Sequence, residues 1–168
     1  MRSKLIVAIV VLLPGSTAVL AQTKISGTLK CGKSDVELSI EVGDRPNHTF
    51  VIEKGGKCTW TKPPEIAGMK AKDDTGGWEG ASFTEISGTK FSGHGYGVDN
   101  WANGDKSYIY TQETGIIKDG VPEAEGTWTF TGGTGKLKGL KGKGTYKGKR
   151  AADGSVTGEM EGEYELPK

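Results

Sequence analysis

The sequence lacks most of the features that mark a catalytic, metal-binding or membrane-spanning protein. It holds two cysteines and two histidines among 168 residues, and their spacing matches no zinc-binding pattern. It has no glycine-rich phosphate loop between a strand and a helix, no nucleophile elbow and no carboxylate–histidine metal motif. These absences argue against a hydrolase, and we predict neither a metal ion nor a cofactor.

An excess of charge of one sign is also missing, since the chain carries 22 basic and 21 acidic residues. Such a balance gives no general attraction to nucleic acid or to an anionic membrane. The basic run from Lys136 to Arg150 would by itself suggest an anion-binding patch. Its lysines alternate with other residues, however, and a glutamate-rich segment follows at residues 155–165. We interpret the run as a solvated outer face and predict no nucleic-acid partner.

Long apolar runs are scarce, and the longest is Leu5–Leu13. This run is too short to cross a bilayer, which needs roughly 20 residues. Basic residues precede it, and Val19 and Ala21 stand where signal peptidase requires small side chains. A buried N-terminal strand or helix is the alternative. We predict a signal peptide over residues 1–21, a single β-barrel domain over residues 22–168, no membrane anchor, and a secreted or periplasmic location.

The two cysteines, Cys31 and Cys58, both follow the predicted signal peptide. Because exported proteins fold in an oxidising compartment, an even pair of cysteines predicts a disulfide. Closing a loop of about 27 residues would stabilise the fold by roughly 3–4 kcal/mol. The glycosylation sequon at Asn47–Thr49 is usable only in a eukaryotic secretory pathway, and we interpret it as a chance match.

Alternation of apolar and polar residues runs through almost the whole chain. From Val36 to Val42 every even position is apolar and every odd position is polar, which is typical of a half-buried strand. Asn103-Gly104 and Asp119-Gly120 are hairpin signals between such segments. No segment after the N-terminal apolar run has a helical period. The pattern predicts an all-β protein.

Glycine is abundant, with 28 residues among 168. That share is more than twice the usual value of roughly 7%, yet the glycines are interleaved with aromatic and β-branched residues. Inward glycines let strands coil sharply and leave room for aromatic side chains from across the core. We therefore predict a small antiparallel β-barrel of about eight strands, with a two-sheet β-sandwich as the alternative.

The C-terminal segment predicts its own pairing register. In residues 141–149 lysines recur at odd positions and glycines at even ones, whereas residues 155–165 carry glutamates at odd positions and small or apolar residues at even ones. Antiparallel pairing places lysines against glutamates, and the opposite pairing would set like charges together. We expect Tyr146, Met160 and Tyr164 to point inward. Either aromatic side chains such as Trp128 and Phe130 fill the space over the inward glycines, or that space stays open.

The segment Gly126–Tyr146 has a distinctive order of residues. An aromatic strand end at Phe130 is followed by Gly-Gly-Thr-Gly-Lys-Leu at residues 132–137. The segment resembles the C-terminal half of the allene oxide cyclase-like barrels, a superfamily that includes dirigent proteins and small exported bacterial proteins of unknown function, and it is most similar to the last. The resemblance implies an eight-stranded antiparallel barrel with a central cavity. No catalytic residue of the cyclases or dirigent proteins matches a motif here, so none is assigned.

The densest cluster of reactive side chains lies between His94 and Trp101. On a strand, His94 and Tyr96 share one face, and an inward His–Tyr pair would bind a polar ligand group or perform acid–base work. Glu85 or Asp99 would then supply a general base. Tryptophans would line an apolar cavity, although barrel aromatics need no ligand. The predicted ligand-binding residues are His94, Tyr96, Trp60 and Trp128.

Three functions remain open from the sequence. The first is a barrel that binds a small apolar or amphipathic molecule in its interior. The second is a structural or interaction protein with a filled barrel, and the third is an enzyme of the cyclase or dirigent type. An internal cavity separates the first from the second, whereas convergent buried polar groups in it favour the third. The sequence leaves the ligand, the oligomeric state and the use of the sequon open.

Overall fold

A computed structural model describes residues 22–72 and 78–167 of the chain, and the predicted signal peptide, residues 1–21, lies outside the described residues. The described chain is built almost wholly of strands, with one short 3₁₀ helix at Gly135–Leu137. The strands are β1 (Thr23–Cys31), β2 (Val36–Glu41), β3 (His48–Lys54), β4 (Cys58–Lys62), β5 (Glu65–Ile66), β6 (Met69–Lys70), β7 (Trp78–Ser87), β8 (Lys90–Asn100), β9 (Lys106–Lys118), β10 (Val121–Gly133), β11 (Lys141–Arg150) and β12 (Val156–Glu165).

Ten of these strands form one curled antiparallel sheet in the order β2-β3-β7-β8-β9-β10-β11-β12-β1-β4. The remaining two, β5 and β6, form a small separate hairpin. The structure therefore confirms the all-β class and the antiparallel barrel, and the described strands do not divide into the two packed layers of a sandwich. The sheet holds ten strands rather than about eight, because the short strands β2 and β4 extend its two edges.

The two ends of the sheet are brought together by the three residues between β3 and β4. Gly55 N–H donates to the Gly80 carbonyl at 2.9 Å and continues the pairing of β3 with β7, whereas Gly32 N–H donates to the Lys57 carbonyl at 2.8 Å and continues the pairing of β1 with β4. Gly55 and Gly56 have φ values of 74° and 103°, in the left-handed region that glycine tolerates best. The chain thus leaves the second strand from one edge of the sheet and forms the opposite edge strand within three residues.

The predicted disulfide forms at this junction. Cys31 and Cys58 lie directly opposite each other in the β1–β4 ladder, and their sulfur atoms are bonded. Their Cα atoms are 3.9 Å apart. An ion pair also links β11 to β3: Arg150 Nη2 lies 2.6 and 2.8 Å from the two carboxylate oxygens of Glu53. The covalent bond and the ion pair together hold the curled sheet at one end.

The C-terminal hairpin has the predicted register. Lys143 pairs with Glu163 and Tyr146 pairs with Met160, and the lysines of β11 are exposed. Tyr164 is buried, while Tyr146 and Met160 pack at the edge of the core. The prediction is confirmed because the opposed charges and the inward glycines specify the same alignment.

Trp128 fills the space over the paired glycines of this hairpin. Its ring is 1% exposed, and Nε1 donates to the carbonyls of Thr145 and Glu161, both at 3.2 Å. A Cβ atom added at Gly144 or at Gly162 would lie 2.6 Å from Trp128 Cζ2. Phe130 covers Gly142 in the same way. This part of the interior is therefore packed solid, as protein cores normally are.

We predict that Gly144→Ala lowers the free energy of unfolding by about 3 kcal/mol, because the new methyl group would overlap the Trp128 ring and the Glu161 carbonyl oxygen. Gly148→Ala is the matched control on the same strand. A Cβ atom there meets nothing closer than 3.6 Å, so the change should stay within about 0.5 kcal/mol. Urea denaturation of both variants measures the difference, and equal midpoints would contradict the packing of Trp128 described here.

Candidate functional site

A cavity of about 420 Å³ lies inside the curled sheet. Its wall is largely apolar and includes side chains from β1, β4, β8, β9, β10 and β11. Examples are Leu29, Trp60, Phe91, Ile109, Trp128 and Tyr146. Gly148 and Gly158 also line it, and a Cβ atom at either would make only ordinary van der Waals contacts. The barrel interior is thus packed beneath Trp128 and open beside it. Aromatic side chains fill the space over some inward glycines, and the space over others stays open.

Two buried polar atoms that belong to residues of the cavity lining lack hydrogen-bond partners among the described residues. They are Trp60 Nε1 and Asp99 Oδ1, and each residue is 5% exposed. The other oxygen of Asp99 accepts from Ser107 Oγ at 3.4 Å, and Ser107 Oγ accepts in turn from Trp101 Nε1 at 3.0 Å. An unsatisfied buried polar group costs roughly 1–3 kcal/mol. Groups that can hydrogen-bond are therefore favoured in this cavity.

Burial changes the acidity of the Asp99 carboxyl group. Desolvation raises the pKa of Asp99 to about 7, against the opposing effect of the hydrogen bond from Ser107. A carboxyl group with this pKa is present in both its protonated and ionised forms near neutral pH. Asp99 is therefore able to donate or to accept a proton inside the cavity.

Tyr146 brings a further polar group to the wall. Its hydroxyl donates to Glu113 Oε2 at 2.7 Å. Burial, followed by the negative charge of Glu113, raises the pKa of Tyr146 well above its ordinary value, so the side chain stays a neutral phenol. The sequence predicted that Tyr146 points inward, but it gave no signal that Glu113 on β9 would accept from it.

Of the four predicted ligand-binding residues, Trp60, Trp128 and His94 belong to the cavity lining, whereas Tyr96 does not. Trp60 presents an unbonded N–H, whereas Trp128 uses its N–H for two backbone carbonyls and presents only its ring. The placement agrees with the sequence, and their role in binding stays a prediction.

The inward orientation predicted for Tyr96 is wrong, and His94 is exposed on the same face although it borders the cavity. Both side chains lie on the outer face of β8, and Tyr96 is 62% exposed. The middle of the inner face of this strand is occupied by glycines, between Phe91 and Asp99, and a side chain there would be crowded by the neighbouring strands. A Cβ atom at Gly95 would lie 3.1 Å from both the Ala81 carbonyl oxygen and Thr111 Oγ1. The strand alternation was identified, but its inner and outer faces were interchanged.

His94 and Tyr96 instead belong to a row of rings on the outside of the sheet. Phe50, Phe83, His94, Tyr110 and Tyr96 follow one another across β3, β7, β8 and β9, with successive centroids 5.0–6.2 Å apart. We call these five residues the outer aromatic row. Glu85 lies on this outer side and contacts His48, so it does not reach the cavity as a general base for His94.

His48, which the sequence offered only as part of the sequon, is the most tightly bonded histidine of the chain. Its ring is buried, and Nδ1 lies 2.5 Å from Asp44 Oδ1 while Nε2 lies 2.8 Å from Glu85 Oε1. The hydrogen bond to Asp44, followed by that to Glu85, raises the pKa of His48. Arg45 contacts both carboxylates, at 2.6 and 3.6 Å. Asn47 beside it is exposed, and use of the sequon is untested.

This cluster gives the turn between β2 and β3 a defined pH dependence. Since the folded-state pKa of His48 lies above the ordinary value of 6.5, the stabilisation is complete below about pH 6.5 and is lost as pH rises through the folded-state pKa. The pKa of Asp44 is lowered, chiefly by the bond to His48. Its contribution is present above the ordinary value and is lost as pH falls through the lowered pKa.

We predict that the urea midpoint of the native protein falls between pH 6 and pH 9 more steeply than that of a His48→Gln variant, which lacks the titrating ring. His94→Gln is the matched control, because it removes the other histidine of the chain, which lies in the outer aromatic row. It should keep the slope of the native protein. Parallel curves for the native protein and His48→Gln would exclude a role for His48 in the pH dependence.

The outer charges of the C-terminal hairpin are balanced. A wider depression of about 1080 Å³ shares Leu29, Phe91, Gly148 and Gly158 with the cavity, and its lining also includes lysines and glutamates. Lys149 Nζ lies 2.8 Å from Glu123 Oε1, and Lys147 stands opposite Glu159 in the ladder. The basic run is thus neutralised by its neighbours, as its alternation predicted.

Two features are absent from the part of the chain that the structure describes. Within residues 22–72 and 78–167 there is no group of three His, Cys, Asp or Glu side chains that could hold a metal ion. Among the same residues, no helix has the length and apolar character needed to cross a membrane.

The fold and cavity together define a curled antiparallel β-barrel with an apolar interior, a class to which dirigent proteins belong. Among solved structures the chain is similar to a pterocarpan synthase dirigent protein, with a TM-score of 0.51 and 14% sequence identity. The match covers 96% of this chain and 100% of that chain. At this identity the likeness concerns the fold alone. No protein-family model and no curated protein match the sequence.

Proposed function

We propose that this protein binds an apolar or amphipathic small molecule inside the curled sheet. The observation that carries the proposal is the pair of buried atoms, Trp60 Nε1 and Asp99 Oδ1, which have no partner in the described chain and belong to residues that line one apolar cavity. The volume of about 420 Å³ falls within the range of roughly 300–1,000 Å³ that small-molecule sites occupy. A ligand that bonds to both atoms would remove the cost of leaving them unsatisfied.

We further propose that the protein is exported, to the periplasm or the cell exterior, and is related to the small exported bacterial members of the dirigent-like barrels. The Cys31–Cys58 disulfide supports this location, because such bonds persist in oxidising compartments. The N-terminal sequence pattern of residues 1–21 supports it independently.

An enzyme of the cyclase or dirigent type is the second candidate, and Asp99 is the observation that favours it. A carboxyl group with a pKa of about 7 on a cavity wall is suited to general acid or base work. The similar structure is named a synthase, which at 14% identity adds only the fold. A filled-barrel structural protein is the weakest of the three, since part of the interior is open.

We predict that the neutral dye N-phenyl-1-naphthylamine binds to the native protein with a rise in dye fluorescence, and that Gly148→Leu abolishes the rise. The added side chain would project into the cavity, where a Cβ atom at Gly148 has ordinary contacts only. Thr145→Leu is the matched control, because it places the same side chain on the exposed face of the same strand.

The control variant should bind the dye as the native protein does, and both variants should keep the native circular dichroism spectrum. An absence of dye binding to the native protein would count against the proposed function. Equal binding by Gly148→Leu and the native protein would place the dye outside the cavity.

A further inference from the structure

The charges around the cavity are unevenly distributed. Five carboxylate residues, two cationic residues and one histidine belong to its lining, namely Glu37, Glu53, Asp99, Glu113, Glu159, Lys149, Arg150 and His94. Both cationic groups already have acidic partners. Arg150 forms the two-oxygen contact with Glu53, and Lys149 contacts Glu123 on the outer face. The lining therefore offers negative charge without a free positive charge to balance it.

Asp99, Glu113 and Glu159 are the carboxyl groups of this lining that form no ion pair among the described residues, and of the three only Asp99 is buried. The contacts of Asp99 are limited to the weak hydrogen bond from Ser107, and Glu113 accepts from the neutral Tyr146 hydroxyl. Asp99 is 95% removed from solvent, since its exposed fraction is 5%, and one of its oxygens is unbonded. A buried carboxylate in this position is stabilised most by a cation that approaches from the cavity.

The aromatic rings of the wall suit the same kind of ligand. Trp60, Trp128, Phe91 and Tyr146 all line the cavity, and ring faces attract organic cations, with tryptophan the strongest. The free Trp60 N–H adds a second requirement, because an ammonium group has donors only and cannot accept from it. The ligand must therefore also carry an acceptor such as an ether, hydroxyl or carbonyl oxygen.

Resting on the function proposed above, we propose that the occupant is an amphipathic organic amine: its ammonium group bonds to Asp99, its apolar body lies against the tryptophan rings, and an oxygen accepts from Trp60 Nε1. The raised pKa of Asp99 agrees with this assignment, because burial disfavours the carboxylate charge and a cation bonded to it would stabilise that charge. Both of the unsatisfied atoms described above are then bonded.

Three probes of nearly equal size test the charge of the ligand at pH 8, where the Asp99 carboxyl is mostly ionised. They are 2-(6-methoxynaphthalen-2-yl)ethylamine, the corresponding alcohol, and 6-methoxynaphthalene-2-acetate, which share the ring and the ether oxygen and differ in charge. In calorimetric titrations of the native protein, the amine should bind about tenfold more tightly than the alcohol, and the acetate should bind most weakly.

Asp99→Asn identifies the group responsible. The amide is close in size to the carboxylate and can still accept from Ser107, so the variant should bind the alcohol as the native protein does, within about threefold. Its affinity for the amine should fall about tenfold, to that for the alcohol. Glu161→Gln is the matched control, because it neutralises an exposed carboxylate on the outer face and should keep the amine preference. Retained dye binding verifies that each variant is folded.

The outcomes distinguish failure of this proposal from failure of the proposed function on which it rests. If the neutral dye binds but the amine binds no more tightly than the alcohol, or the acetate binds best, the cationic ligand is excluded and the proposed function stands. If Asp99→Asn keeps the amine preference, Asp99 is not the anchor and the assignment fails. If neither the dye nor any of the three probes binds, the proposed function itself fails.

Discussion

The packing of one indole ring against two glycines is the constraint on which the wall of this barrel depends. Trp128 lies over Gly144 and Gly162, which face each other across β11 and β12. The strands approach the ring closely because neither glycine has a side chain, and the ring N–H bonds to a carbonyl on each side. Any larger residue at either position would push the two strands away from the ring. The curvature of the wall at this point is therefore set by side-chain size.

The other end of the barrel is held in a different way. There the chain passes from β3 to β4, on opposite sides of the sheet, at Gly55 and Gly56. The Cys31–Cys58 bond links β1 to β4, and the Arg150–Glu53 ion pair links β11 to β3. Aromatic side chains fill the interior near Trp128, whereas glycines such as Gly148 and Gly158 leave it open nearer the ion pair. The cavity is thus a consequence of where large and small inward side chains occur along the same strands.

The sequence predicted the C-terminal hairpin to the residue because charge and size both alternate there. A shift of one residue would have placed lysines in the core, so a single register was compatible with both patterns. On β8 only size alternates. A period of two separates His94 and Tyr96 from the glycines, but it does not state which set is inside. Which set lies inside depends on crowding from β7 and β9, and the sequence of β8 alone does not reveal that crowding.

The candidate site was less accessible to prediction than the fold. Trp60 and Trp128 were recognised as tryptophans that would line an apolar interior, and both do. Asp99 was named only as an accessory to His94. Its partner Ser107 is eight residues away on β9, but the other cavity residues around it, such as Trp60 on β4, come from strands distant in the sequence. The same is true of His48, whose second carboxylate, Glu85, is 37 residues away. Contacts between residues on different strands arise from the topology, and the local sequence pattern does not predict them.

The pairing of β1 with β12 has a consequence for the order in which the molecule assembles. β1 is the earliest described strand to be synthesised, and its ladder partner is the latest. Hairpins such as β7–β8, β8–β9 and β11–β12 join neighbouring strands and close short loops, so they form early. The ladder between β1 and β12 has to wait for nearly the whole chain. Cys31 and Cys58 are separated by only 27 residues and can meet long before that. The bond between them therefore holds β4 beside the first strand while the other edge of that strand is still unpaired, and the ladder with β12 then completes the sheet.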